Sequence, residues 1–139
     1  MSQYVDMDGE TLWNPANRAA NLFLRHVRLW EEELGLPSGV GESVNDEIHL
    51  AREPFTAFVA ALVAHQRATG HGVILALSEG FAGTVLALAD RAGIPLPPAA
   101  EERPEPREAV QITTAGIVPP PGDARLVALR ERMARSMPR

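Results

Sequence analysis

A serine next to a carboxylate, in the run Ala76-Leu77-Ser78-Glu79-Gly80, is the closest approach to a catalytic motif in this chain. On a strand-to-helix turn, Ser78 would occupy the nucleophile position of a G-x-S-x-G elbow, with alanine replacing the first glycine. Such an elbow draws its acid and then its histidine from later in the chain. No histidine follows His71, and 139 residues are too few for that fold, so a serine in a helical turn is the plainer expectation. The four histidines, His26, His49, His65 and His71, show no ligand spacing, and none belongs to an H-E-x-x-H pattern. Cysteine is absent, which excludes disulfides, thiolate metal sites, iron–sulfur clusters and cysteine nucleophiles. Asp6-Met7-Asp8-Gly9-Glu10 opens like a calcium loop, but the position that requires a bidentate glutamate falls on Asn17. No catalytic residue, metal ligand or cofactor is therefore expected. A small enzyme or small-ligand binder would have to assemble its site in three dimensions, around His71 and Ser78, with His49 and Glu79 as further candidates.

Charge offers a second kind of chemistry. The chain has a formal net charge of −5, unevenly distributed. Residues 1–100 are acidic, whereas residues 124–139 hold five arginines against Glu131 alone. Glu31-Glu32-Glu33 would close a helix at the end where the macrodipole disfavours anions, which suits either a solvated helix end or an acidic patch for a basic partner. The tail, with Arg125, Arg130 and Arg132, either folds back onto body acids or docks on an acidic protein, a nucleic acid or an anionic membrane; folding back is favoured. Nucleic acid is not expected at the body. Leu86 to Ile94 has the look of the first helix and turn of a helix-turn-helix, but Pro95-Leu96-Pro97-Pro98 follows where a recognition helix should begin.

Every Lys-or-Arg position is arginine, which GC-rich codon usage explains together with the excess of Ala, Pro, Gly and Val. The N-terminus lacks the basic and apolar regions of a signal peptide. The most apolar stretch, Val73 to Leu88, is interrupted by Ser78, Glu79, Gly80, Gly83 and Thr84, so it reads as buried core rather than a membrane span. A soluble cytoplasmic protein is expected.

The elements that must position these residues follow from spacing. Tyr4–Met7 and Thr11–Trp13 flank Asp8-Gly9, a dipeptide suited to a tight hairpin. Asn14-Pro15 supplies an N-cap and a first helical position. Ala16, Ala20, Phe23, Val27, Trp30 and Leu34 then line one face of a helix that Gly35 caps. Glu47–Leu50 suits a short strand, and a second helix opens at Pro54 with Phe55, Phe58, Val59, Leu62 and Val63 inward. Val73–Leu77 fits either a strand or a helical turn. The unbroken series Ile74, Leu77, Phe81, Val85, Leu88, Ala92 favours one helix, closed by Gly93. Most of the prolines lie in a linker over residues 95–123, inside which 109–114 has strand character. Leu126, Leu129, Met133 and Met137 give residues 124–139 an amphipathic helix.

Three segments, Glu10 to Pro15, Glu33 to Gly39 and Leu75 to Phe81, carry a resemblance. Together they are similar to an uncharacterised family of small actinomycete proteins, over roughly residues 2–94. The resemblance implies no activity and transfers no catalytic residue. The sequence therefore predicts an α+β, predominantly helical fold: about three packed helices with one or two short strands in a compact domain at 1–94, a proline-rich linker and a C-terminal amphipathic helix. The expected function is a non-enzymatic accessory or immunity-like module that binds another, basic protein through Glu31, Glu32 and Glu33, with Arg125, Arg130 and Arg132 as a second surface.

Overall fold

The computed structural model describes residues 1–98 and 122–139, so the strand-like segment 109–114 lies outside the described residues. The elements run β1 (Tyr4–Met7), β2 (Glu10–Trp13), α1 (Asn17–Leu34), β3 (Glu47–His49), α2 (Arg52–Ala68), α3 (Gly72–Arg91) and α4 (Gly122–Ala134). This is the expected α+β, mainly helical fold, with a three-stranded sheet in place of one or two short strands.

β1 and β2 form the hairpin, and Asp8 and Gly9 both take positive φ, 53° and 81°, the backbone a two-residue hairpin turn needs. β1 also pairs with β3 in parallel, giving the sheet order β2-β1-β3. Parallel neighbours need a crossover, and α1 provides it. Alternation along β1 turns Val5 and Met7 into the core and leaves Tyr4 exposed.

α1 buries Ala20, Phe23, Val27 and Trp30, as its spacing predicts, and ends on Gly35 in the left-handed conformation with φ 73°. Its start differs from the expected one. The helix begins at Asn17 after Ala16, with no side-chain cap. Gln3 N–H donates to the Pro15 carbonyl at 2.9 Å and Ser2 bridges Ala16, so the strand pairing continues past β2 and holds Pro15 extended. Asn14 is drawn away from capping because its Nδ2 donates to the Gln3 carbonyl at 2.8 Å.

α3 is one continuous helix, which settles Val73–Leu77 as helical. By length and composition it is apolar enough to cross a membrane, yet Phe81–Ala89 are buried on all sides, which gives a core helix the same composition. The first turns depart from the expected apolar stripe: Leu77 is 77% exposed and Ile74 39%. α2 meets α3 at Ser78 through Gln66, and the outer side of the first turns stays bare.

α4 lies along α3 and adds Leu126 to the main core, and Met137 just beyond it adds a second side chain. The two helices approach closely at Gly83, where an added Cβ would stand 2.6 Å from Met133 Cγ and 2.8 Å from the Leu129 carbonyl oxygen. Arginines fasten the contact at its edges. Arg67 pairs with Asp123 at 2.9 Å, Arg130 with Asp90 at 3.8 Å, and Arg132 with Glu79. Arg91 donates to the carbonyls of Leu12 and Ala134 at 2.8 and 3.1 Å. Exposed ion pairs of this kind contribute little individually, so the apolar contact carries most of the docking.

Candidate functional site

Ser78 is fully buried, and its hydroxyl is committed. It donates to the Ile74 carbonyl at 2.8 Å and accepts from Gln66 Nε2 at 2.7 Å, while Arg125 Nη1 donates to Gln66 Oε1 at 2.9 Å. These bonds join α4, α2 and α3 through one polar chain, satisfying groups that burial would otherwise penalise. His71 stands exposed at the start of α3, seven residues and about 10 Å of helix rise from Ser78. The structure thus brings no imidazole to the serine. Glu79 faces Arg132 instead, and His49 lies on the sheet, Nδ1 2.8 Å from Asp6 Oδ1. That approach is off the line of a hydrogen bond, so it is a contact between charges when the imidazole is protonated. Among the described residues, no three His, Asp or Glu side chains gather as metal ligands.

The three glutamates of α1 separate in role. Glu31 accepts from Arg28 Nη1 at 3.0 and 3.1 Å, from Ser38 N–H at 2.9 Å and from Ser38 Oγ at 2.6 Å. Arg28 also donates to the Val40 carbonyl at 2.9 Å, so the pair holds the loop after α1 against the helix. Burial pushes the Glu31 carboxyl up, but the Ser38 and Arg28 hydrogen bonds and the Arg28 charge outweigh it and leave it below its ordinary 4.5. A depressed native value means that the stabilisation is complete above 4.5 and is lost as the pH falls through the native value. Urea unfolding in that acid range is expected to show a steeper loss of stability for the wild type than for Glu31→Gln. Equal slopes would remove Glu31 as a loop clasp. Glu32 and Glu33 are exposed. Of the tail arginines, Arg125, Arg130 and Arg132 all face the body.

Where the structure concentrates unusual surface is a cleft of about 400 Å³ between α1, α3 and the residues that follow α4. Trp13, Leu22, His26, Leu77, Phe81 and Met137 are among its walls. Phe81 is its floor and the hub of an aromatic cluster. Trp30 stacks on it at 6.0 Å and 7°, His26 at 6.2 Å and 20°, and Phe58 meets it edge-on at 6.3 Å. His26 Nδ1 lies 2.9 Å from the Leu22 carbonyl, which fixes the ring over Phe81. The mouth is wide and apolar: Leu22 is 56% exposed and Leu77 77%. Val73 and Ile74 share the outer face with Leu77 at helical spacing, extending the apolar surface along the first turns of α3. Sequence reasoning missed this cleft, because it counted Leu77 among inward residues and weighed no contact between Leu22 and α3.

Residues 1–139 match a family of unknown function (DUF6086), and the chain belongs to that family. No curated protein and no solved structure matches the chain.

Proposed function

We propose that this member of a family of unknown function is a non-enzymatic accessory module that binds another protein through the cleft between α1 and α3. The observation that carries the proposal is Leu77, a large aliphatic side chain 77% exposed at the mouth of an aromatic-floored cleft, with Val73 and Ile74 beside it. Contiguous apolar surface of this sort is costly to leave in water and typically marks a contact site. Ser136 and Met137 build one wall from the basic C-terminal segment, and Arg135 is exposed beside them. The complementary partner surface is an apolar anchor residue flanked by carboxylates. A basic partner for the acidic body would have Glu32 and Glu33 to meet, since Glu31 already holds Ser38. The proposal puts the interaction in the cytoplasm, where a chain without cysteine is at no disadvantage. An actinomycete source belongs to the same proposal, and would account for the exclusive use of arginine through codon usage.

The test is a capture experiment from native lysate with wild type and Leu77→Asp, after circular dichroism shows that both melt alike. A stoichiometric protein retained by the wild type and lost with Leu77→Asp, by about tenfold or more in affinity, is the expected result. Equal capture by both proteins, or no captured protein at all, rules out the cleft as the docking site.

A further inference from the structure

The outward side of α1 carries a pattern of charge and apolar groups that the rest of the fold does not use. Arg18, Leu22, Arg25, Leu29 and Glu32 follow one another at 4-3-4-3 spacing, with Glu33 beside the last, so all six share one stripe. The inward residues Ala20, Phe23, Val27 and Trp30 occupy the opposite side. Leu22 and Leu29 are 56% and 53% exposed. Arg18 and Arg25 are exposed and engage no acceptor among the described residues, whereas Arg28, Arg52 and Arg67 all do. Glu32 and Glu33 likewise meet no cation among the described residues, although Glu31 beside them pairs with Arg28.

Read along the helix, the stripe is positive in its first half and negative in its last turn, with two leucines between. Leu22 and Leu29 are equidistant from a point between Arg25 and His26, and so are Arg18 and Glu33. A two-fold axis through that point sets each leucine against its counterpart and each Arg18 against a Glu33. We propose that α1 pairs antiparallel with α1 of a second copy of this chain, Leu22 against Leu29 and Arg18 against Glu33, each contact made twice. A parallel pairing would bring like charges together, so the charge order selects the antiparallel arrangement. Arg25 lies at the axis, with a stem long enough to lie along the leucines and leave its guanidinium in water.

The interface is small. A helix of 18 residues is about 27 Å long, so the dimer is weak, with a dissociation constant on the order of ten micromolar. Sedimentation equilibrium of the full chain from about 1 to about 500 micromolar brackets that value. A monomer–dimer equilibrium is expected. Leu29→Glu, at an exposed position that does not support the core, abolishes it. Arg18→Glu and Glu33→Arg each weaken it by about tenfold, because each reversal acts twice per dimer, and the double reversal restores it to within about threefold of wild type. Thermal melting confirms that each variant is folded. A chain that stays monomeric at the highest concentration overturns the inference and leaves the stripe to a different protein. So does a dimer indifferent to Leu29→Glu, or a double reversal no better than the single ones. The pairing and partner docking share Leu22 but not Leu77: Leu77→Asp leaves the dimer intact, and the charge reversals leave Leu77 in place.

Discussion

Replacing Phe81 with alanine is expected to destabilise the protein by about 3–5 kcal/mol, measured by urea unfolding. The ring is only 6% exposed and stands where three helices meet. Phe23 lies 6.1 Å from it, Trp30 6.0 Å, Phe58 6.3 Å and His26 6.2 Å, so α1, α2 and α3 meet on its faces and edges. Loss of the side chain removes burial and leaves a cavity that three helices must close by moving. Aromatic pairs add about 0.5–1.5 kcal/mol each beyond area, so the upper part of the range is favoured. A domain has only about 5–15 kcal/mol in total, and the variant is expected near the edge of unfolding. Trp30 fluorescence gives a local check, since its ring loses its stacking partner. A cost below about 1 kcal/mol, as for a surface change, would mean that the hub is not what joins the helices.

Gly83→Val is expected to cost about 3 kcal/mol and to undock α4. A Cβ at this position would stand 2.8 Å from the Leu129 carbonyl oxygen and 3.2 Å from its carbon. Met133 can swing aside, but Leu129 backbone cannot move without moving the helix. Valine also adds two methyl groups to the same gap. Hydrogen exchange separates the two consequences. Amides of α4 should lose protection while those of α1 and the sheet keep theirs, because the atoms nearest a Cβ at Gly83 belong to Leu129 and Met133 of α4. Unchanged protection over 122–134 would show that the close approach is not needed for docking.

How much of this could be read in the sequence depends on how local the physics is. Asp8-Gly9 dictates its turn because the needed φ angles are a property of those two residues, and Gly35 ends α1 for the same reason. The buried stripe of α1 was equally legible, since a helix with one wet side shows its period directly. α3 was harder. A helix buried on all sides has no wet face to mark, so its spacing could not reveal that the first turns emerge from cover and expose Leu77. Asn14-Pro15 misled because local capping lost to strand pairing with Gln3, a residue eleven positions away. Ser78 invited a nucleophile interpretation until Gln66 and the Ile74 carbonyl were seen to hold it. Gly83 and Glu31 acquire their roles only from Leu129 and Ser38, and no spacing rule connects those pairs.

Arg67 touches both ends of the stretch between α3 and α4. Its guanidinium donates to the carbonyls of Pro97 and Pro98 at 2.6 and 3.1 Å, and to Asp123 Oδ1 at 3.0 Å. The two ends of residues 99–121 are therefore held a side chain's width apart, whatever chain runs between them. Arg67 stands on α2, so one side chain of α2 ties the residues after α3 to the start of α4. α2 therefore fixes where α4 begins, through a guanidinium that holds Pro98 and Asp123 at once.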